Sequence, residues 1–446
     1  MDQGQLIILV TVIPPLVLGY FLLFLKSNRL NNLLTGLIFV SFFVFATNYN
    51  HFGFGFDIYR YLHRTIGILI VIALFLHIFR YRINVFKELV PRILVLFFLV
   101  LVLSFLGNDI YAPYYVHYVR NYIFIALIAL YLYYMLDSNE KLNELFKLIV
   151  DITIILSLFI VFEEIRRIWI HPGGLNDLFI HKVFLFSNPN YLAYSLFPGF
   201  VLTLFSKQKY SLLISLLILF SIIIVGSRAI LLSTVFVLGL DIYFKHYKKI
   251  YLIPILLTSV LIITLFFDKI ITNTSYGGTR LVLAHISMNI FKESPVNGIG
   301  YGQFRKKWRN YVDFDIINMK SDEINNALKG YEGDFPTAVR LSSMEFDKLK
   351  DEGIYQNTEK MTHNDVLTIV TELGLLGIAS VVFLFYKLYI ELQKLLLHNR
   401  DYFFLSIGLI GGSLLFSLFH NNLTSFVFWF VLFIPFIMNR NHNRIT

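Results

Sequence analysis

The chain has 446 residues, 57% of them hydrophobic and 15% charged, against about 25% charged in an ordinary soluble domain, so a water-soluble fold of this length has no place for so much apolar side chain. The formal charge of +9 does not point to nucleic acid, because basic residues come in short clusters between apolar runs and not as a stripe with interleaved aromatics. No cysteine is present, which excludes disulfides, thiolate metal sites and a cysteine nucleophile.

The apolar runs are long enough to cross a hydrocarbon core of about 30 Å as helices of ~20 residues. They are too long and too uniform for the alternating strands of an outer-membrane barrel. In chain order they fall at 5–25, 32–48, 65–79, 92–107, 117–136, 148–165, 182–205, 210–226, 229–244, 251–267, 365–386, 402–419 and 423–438. The first lacks a basic n-region and a small-residue cleavage site and reads as a retained span, not a signal peptide. The expected fold is an all-α, polytopic membrane bundle of about 12–14 transmembrane helices, since helices alone satisfy their own backbone in lipid one segment at a time.

Charge alternates between the junctions. Lys26 and Arg29, then Arg80, Arg82, Lys87 and Arg92, then Lys141 and Lys147, Lys207 and Lys209, Lys245, Lys248 and Lys249, and finally Lys387, Lys394 and Arg400 mark every second junction. The positive-inside rule puts these, with Arg440 and Arg444 of the tail, in the cytoplasm. The opposite short junctions are poorer in Lys and Arg, holding Arg60, Arg64, Arg120, Arg166, Arg167, Lys182 and Arg228. Residues 1–267 are expected to form a first membrane bundle of about ten helices and 363–446 a second of about three. Between them, 268–362 break the composition and form a large extracytoplasmic loop that contains helices. A loop of that length in a compact protein tends to carry function.

Chemistry is expected from polar groups at the extracytoplasmic edge. Arg228, in Gly226-Ser227-Arg228-Ala229, lies between two apolar runs, where a guanidinium either snorkels at a tight hairpin or grips an anion such as phosphate. Arg280 follows Gly277-Gly278-Thr279 and is read as the opening of a helix; the turn is either an anion site at a helix N-terminus or an ordinary start capped by Thr279. The stretch 281–291 suits an amphipathic helix lying against the bundle. Asn297-Gly298 with Gly300 and Gly302 marks a turn. His363, in Thr362-His363-Asn364-Asp365, suits proton exchange near neutrality, or is a structural hydrogen-bonder. Asn188-Pro189-Asn190 either kinks a span or lines a polar cavity. His420-Asn421-Asn422 is a further polar cluster, and Glu163 and Glu164 with Arg166 and Arg167 read as an interfacial rim. No zinc, nucleophile-elbow or phosphate-loop spacing occurs.

Taken in order, these pieces resemble the O-antigen ligase and polymerase superfamily of membrane glycosyltransferases. Residues 184–192 (FLFSNPNYL) resemble its Asn-Pro-Asn helix, and 226–232 (GSRAILL) its Ser-Arg-small hairpin. Residues 279–304 resemble its arginine helix and Pro-x-x-G-x-G-x-G-x-F turn, and 363–377 its His-Asn motif ahead of a Glu-x-Gly-x-x-Gly helix. The first 180 residues match only in hydropathy, and the loop after about residue 305 is unmatched.

The resemblance implies an undecaprenyl-diphosphate-linked oligosaccharide as donor, an acceptor glycan, and neither cofactor nor metal. It implies a cell inner-membrane, multi-pass enzyme with a periplasmic active site. In it Arg228 and Arg280 bind the diphosphate and His363 is the general base for an inverting transfer. Asn190, Asn188, Asn364 and His420 are weaker candidates for lining the substrate site. Membrane lipid, a chain-length regulator and a flippase of the same pathway are the expected partners, with no nucleic acid. A polymerase joins one lipid-linked repeat unit to another, as in O-antigen or capsule synthesis. A ligase instead moves the finished glycan to lipid A-core, or in a third variant to a protein. The polymerase reading is preferred because this loop has no feature tied to lipid A-core. A flippase or transporter, the alternative of a different class, would call for paired repeats with broken helices near the midplane; the sequence shows neither a repeat nor intramembrane ion pairs, and its polar groups cluster at one face.

Overall fold

A computed structural model describes residues 58–108, 112–170, 189–205, 210–246, 275–311, 362, 364–423 and 425–444. Among them the secondary structure is helical, with no strand. The helices are α1 (Ile58–Tyr81), α2 (Leu89–Leu103), α3 (Ala112–Met135), α4 (Asn139–Ile170), α5 (Pro189–Leu204), α6 (Ser211–Val225) and α7 (Arg228–His246). They continue with α8 (Ser275–Glu293), the short α9 (Phe304–Lys307), α10 (Asp365–Thr368), α11 (Gly374–His398), α12 (Arg400–Ser417) and α13 (Phe426–Asn443). A π-helical turn, Ile369–Leu373, joins α10 to α11.

Among the described residues, three stretches are long and apolar enough to cross a membrane: Tyr115–Met135, Asn139–Ile165 and the combined Asp365–His398. Shorter apolar helices occupy Ile68–Tyr81, Leu89–Leu103 and Ser211–Val225. The spans expected at 5–25, 32–48 and 251–267, and most of the 268–362 loop, lie outside the described residues. Each other expected span overlaps a described helix, although 182–188 of the 182–205 span lie outside the described residues. The surface suits lipid: Leu212, Leu213 and Leu216 of α6 stand in the open, as do Val382, Tyr386 and Tyr389 of α11. Soluble proteins rarely expose such ridges.

The axis of the bundle is α13, which is buried on every side from Phe426 to Met438. A helix apolar all round belongs at a centre. Trp429 makes edge contacts with Phe97 of α2 and Tyr122 of α3, and its indole N–H donates to the Leu423 carbonyl. Beside it, α12 packs on α5 and α7 through small residues. A Cβ on Gly412 would meet the Phe197 ring, and one on Gly411 would meet Phe236. Ser233 of α7 donates to the Gly412 carbonyl and Tyr194 of α5 to Ser413. Close approach through small residues, with hydroxyls as cross-links, is how helices adhere where water supplies no drive.

Both ends of the bundle are polar. At one end Arg440 stacks over Tyr133 and donates to the Leu136 carbonyl, Tyr133 donates to Glu88, and Lys394 pairs with Glu391. That end carries the described basic junctions. The opposite end gathers the C-termini of α2, α8 and α12 and the N-termini of α3, α5, α7, α10 and α13, as the contacts described next require.

One of these contacts fixes the local backbone. Gly298 has φ +64, and a Cβ there would lie 2.5 Å from the Glu372 carbonyl carbon and the Thr371 oxygen. Gly107 has φ +80 but open space around it. Gly298→Ala is therefore expected to lower stability by at least ~2 kcal/mol, and Gly107→Ala by only ~1 kcal/mol of backbone strain. Thermal unfolding in detergent of the two variants beside the parent checks this order.

Candidate functional site

After α8 the chain turns sharply on three glycines with positive φ, Gly298, Gly300 and Gly302, before α9 begins. This is the turn expected from sequence. It docks on the π-helical turn, whose extra residue per turn takes carbonyls out of the normal helical ladder. The amides of Ile299 and Gly300 donate to the carbonyls of Thr371 and Glu372 at 2.9 and 3.1 Å. In return, the amides of Leu375 and Leu376 donate to the carbonyls of Pro295 and Val296 at 2.8 and 3.0 Å. Gly374 has φ 60 and ψ −150, a region open to glycine almost alone. Its Cβ would collide with Gly298 and Pro295.

The Glu372 carboxylate, 4% exposed, completes the joint. One oxygen accepts the Gly302 amide at 2.9 Å and the other the Phe304 amide at 3.1 Å. From the α2 side, Asn108 donates to the Gly298 carbonyl and Ser104 accepts the Tyr301 amide. Glu372 is the sole acid between Asp365 and Glu391.

A small polar cleft opens beside this joint. It is lined by Tyr118, Tyr301, Phe304, Arg305, Thr362, Asp365, Thr368, Glu372, Asn421 and Leu423. Burial pushes the Tyr301 phenol well above its ordinary pKa, so it stays protonated. Arg305 hydrogen-bonds Tyr118 and lies within electrostatic reach of Glu372. Asp365, also 4% exposed, accepts the amides of Asn422 and Leu423 at 2.8 and 3.1 Å. That fixes the chain between α12 and α13 as the far wall.

Hydrogen bonds run from the cleft residues Thr362 and Asn421 to the Asn-Pro-Asn helix, and from that helix to the Ser-Arg hairpin. Ser227 donates to the Asn190 side chain at 2.8 Å, tying the Ser-Arg hairpin to the Asn-Pro-Asn helix. The neighbouring Tyr191 donates to the Asn421 carbonyl at 3.1 Å, and the Asn421 side chain accepts from Thr362. Thr362 also shares a hydrogen bond with Thr368. Thus the 227–190 pair and the set 191, 421, 362 and 368 make two hydrogen-bonded groups, joined through the backbone between Asn190 and Tyr191. His363 and Asn188 lie outside the described residues.

Arg228 opens α7 directly after Gly226, whose left-handed conformation ends α6. Its side chain is exposed and makes no hydrogen bond or ion pair with the described residues. A cation at the positive end of a helix is electrostatically misplaced by ~0.3–1 kcal/mol, a cost that a bound anion would reverse.

The start of α8 differs from the expected one. Helix α8 starts at Ser275, so Gly277 and Gly278 lie inside its first turn and Arg280 in its second. Arg280 therefore does not open the helix; its side chain lies outside the described residues. Asn364 is a helix cap, accepting from the amides of Val366 and Leu367 and donating to the Leu418 carbonyl. His420 is buried and stacks on Phe416 with centroids 4.8 Å apart. Glu163 and Glu164, read as an interfacial rim, are both buried.

Glu372, Asp365, Arg305, Tyr118 and Ser227 were not singled out by sequence reasoning as site residues. For Glu372 the signal was present, since a single carboxylate in a long apolar run is costly and marks a role. For Tyr118 and Arg305 there was none, because their meeting depends on tertiary packing.

No protein-family model matches the chain, and no curated protein matches it.

If Asp365 holds the 421–423 segment through its two oxygens, Asp365→Asn leaves an amide N–H₂ facing a backbone N–H. The expected loss is ~1–3 kcal/mol. Asp401→Asn, an exposed change in the first turn of α12, is expected to shift thermal unfolding much less. Equal shifts in detergent would remove Asp365 from this role.

Proposed function

We propose that the chain is a polytopic bacterial inner-membrane glycosyltransferase that extends a polysaccharide, using a glycan on undecaprenyl diphosphate as donor. The acceptor is a sugar hydroxyl of another lipid-linked repeat unit. The observation that carries this reading is the polar chain from Ser227 and Asn190 through Asn421 to Thr362. Extended by the Thr362–Thr368 hydrogen bond, it links three of the four motif segments at one end of the bundle, the end that the charge alternation assigns to the periplasm.

In the proposed reaction the acceptor hydroxyl oxygen attacks the anomeric carbon from the face opposite the diphosphate. The new C–O bond forms as the bond to the phosphate oxygen breaks, and the configuration inverts. His363 takes the hydroxyl proton as general base. Negative charge builds on the departing diphosphate, where Arg228 and Arg280 stabilise it. A guanidinium offers paired donors to phosphate that an ammonium lacks. An exposed arginine at a helix N-terminus, with no counter-charge among the described residues, supports this assignment for Arg228.

Three outcomes are expected. His363→Ala abolishes transfer in membrane vesicles at unchanged expression, whereas substantial residual activity would end its role as base. Arg228→Lys and Arg280→Lys each reduce transfer by ~10- to 100-fold although charge is kept; normal rates in both would leave the arginines as snorkelling groups. Reporter fusions at residue 320 report the periplasm, and a cytoplasmic signal would refute the proposed sidedness. Deleting the gene distinguishes the two transferases: single lipid-linked repeat units accumulate if the protein is a polymerase, long lipid-linked chains if it is a ligase.

A further inference from the structure

The joint between the glycine turn and the π-helical turn is held more firmly than packing requires. Four backbone hydrogen bonds already fix it, two in each direction, and the Cβ-free contacts of Gly298 and Gly374 close it. A carboxylate adds a desolvation cost of several kcal/mol to such a place. Yet Glu372 is buried there, with an amide on each oxygen. The two amides belong to Gly302 and Phe304, the residues leading into α9. Phe304 is itself buried, and the next residue is Arg305, on the wall of the cleft. Thr362, the neighbour of His363 in sequence, lines the same cleft.

We infer that Glu372 is a positioning residue: by holding the amides of Gly302 and Phe304 it sets Arg305 in the cleft as a further cation for the charge that develops on the leaving diphosphate. The inference rests on the proposed transfer reaction. It differs from a simple packing role in one respect, which is that Glu372 acts through Arg305. Tyr118 holds the guanidinium from the other side. Gly302 has no room for a side chain, because a Cβ would lie 2.5 Å from the Tyr118 ring, so turn, tyrosine and arginine form a single unit.

A double-mutant cycle tests it on the full chain in membrane vesicles supplied with polyprenyl-diphosphate-linked repeat units. Arg305→Ala and Glu372→Gln are each expected to lower kcat about tenfold or more, with the donor KM changed less than about threefold. The double variant is expected to match the weaker single variant within about twofold, since residues acting as a unit are not additive. Losses that multiply, or a wild-type rate in either single variant, would overturn the inference while leaving the transferase reading intact. A parent protein that does not transfer at all would overturn both. If Glu372→Gln does not accumulate in the membrane, Arg305→Ala alone decides: a wild-type kcat overturns the inference, and a tenfold fall at unchanged KM and thermal stability supports it.

Discussion

The polar end of this bundle depends on one joint, the docking of the 295–302 turn against the π-helical stretch ahead of α11. Two irregular backbones meet there, and each supplies what the other lacks. The π-turn frees the carbonyls of Thr371 and Glu372, and the glycine turn provides amides to fill them. An unpaired buried amide or carbonyl costs about 1–3 kcal/mol, so neither segment is stable in this form alone. The glycines are required because the backbones approach to distances that exclude a Cβ. A sequence that departed from glycine at 298 or 374 would separate the turn from the helix and leave the cleft without one wall.

This joint also explains how a polar site is held at the end of an apolar bundle. Packing along α13 fixes the helices relative to one another but says nothing about the loops at their ends. Those loops are tied by carboxylates that accept backbone amides: Glu372 for the entry to α9, Asp365 for the link between α12 and α13. Asn364 and Asn190 add side-chain oxygens that accept hydrogen bonds. Asp365 and Asn364 are short and lose little rotamer entropy in reaching backbone, whereas the longer Glu372 loses more to reach Gly302 and Phe304.

Much of the architecture was legible in the sequence, and the reason differs between regions. Long apolar runs report helices directly, so α3, α6 and α12 lie within a few residues of their expected bounds. The turn after Pro295 was legible because three alternating glycines have few other uses. The start of α8 was misread, because Gly277 and Gly278 signal a turn locally whereas the helix runs through them from Ser275. The weaker site candidates diverged for a related cause. Asparagine and histidine at helix ends serve as caps and packing groups as readily as ligands, and only contacts reveal which. Asn364 caps α10 and His420 stacks on Phe416, while Asn190 accepts from Ser227. The partnership of Glu372 with residues 70 positions earlier has no local trace at all.

The central place of α13 bears on how the molecule is made. This helix is translated after every other described helix, yet it is the one the others surround. Until residues 426–443 leave the ribosome, α2, α3, α11 and α12 have no common surface to close upon, and aromatic faces such as those of Phe97 and Tyr122 lack their Trp429 neighbour. Synthesis order and assembly order are thus opposed. On the proposed topology, α13 joins helices that already touch without it, such as α12 with α5 and α7, and completes the packing between them and α2, α3 and α11.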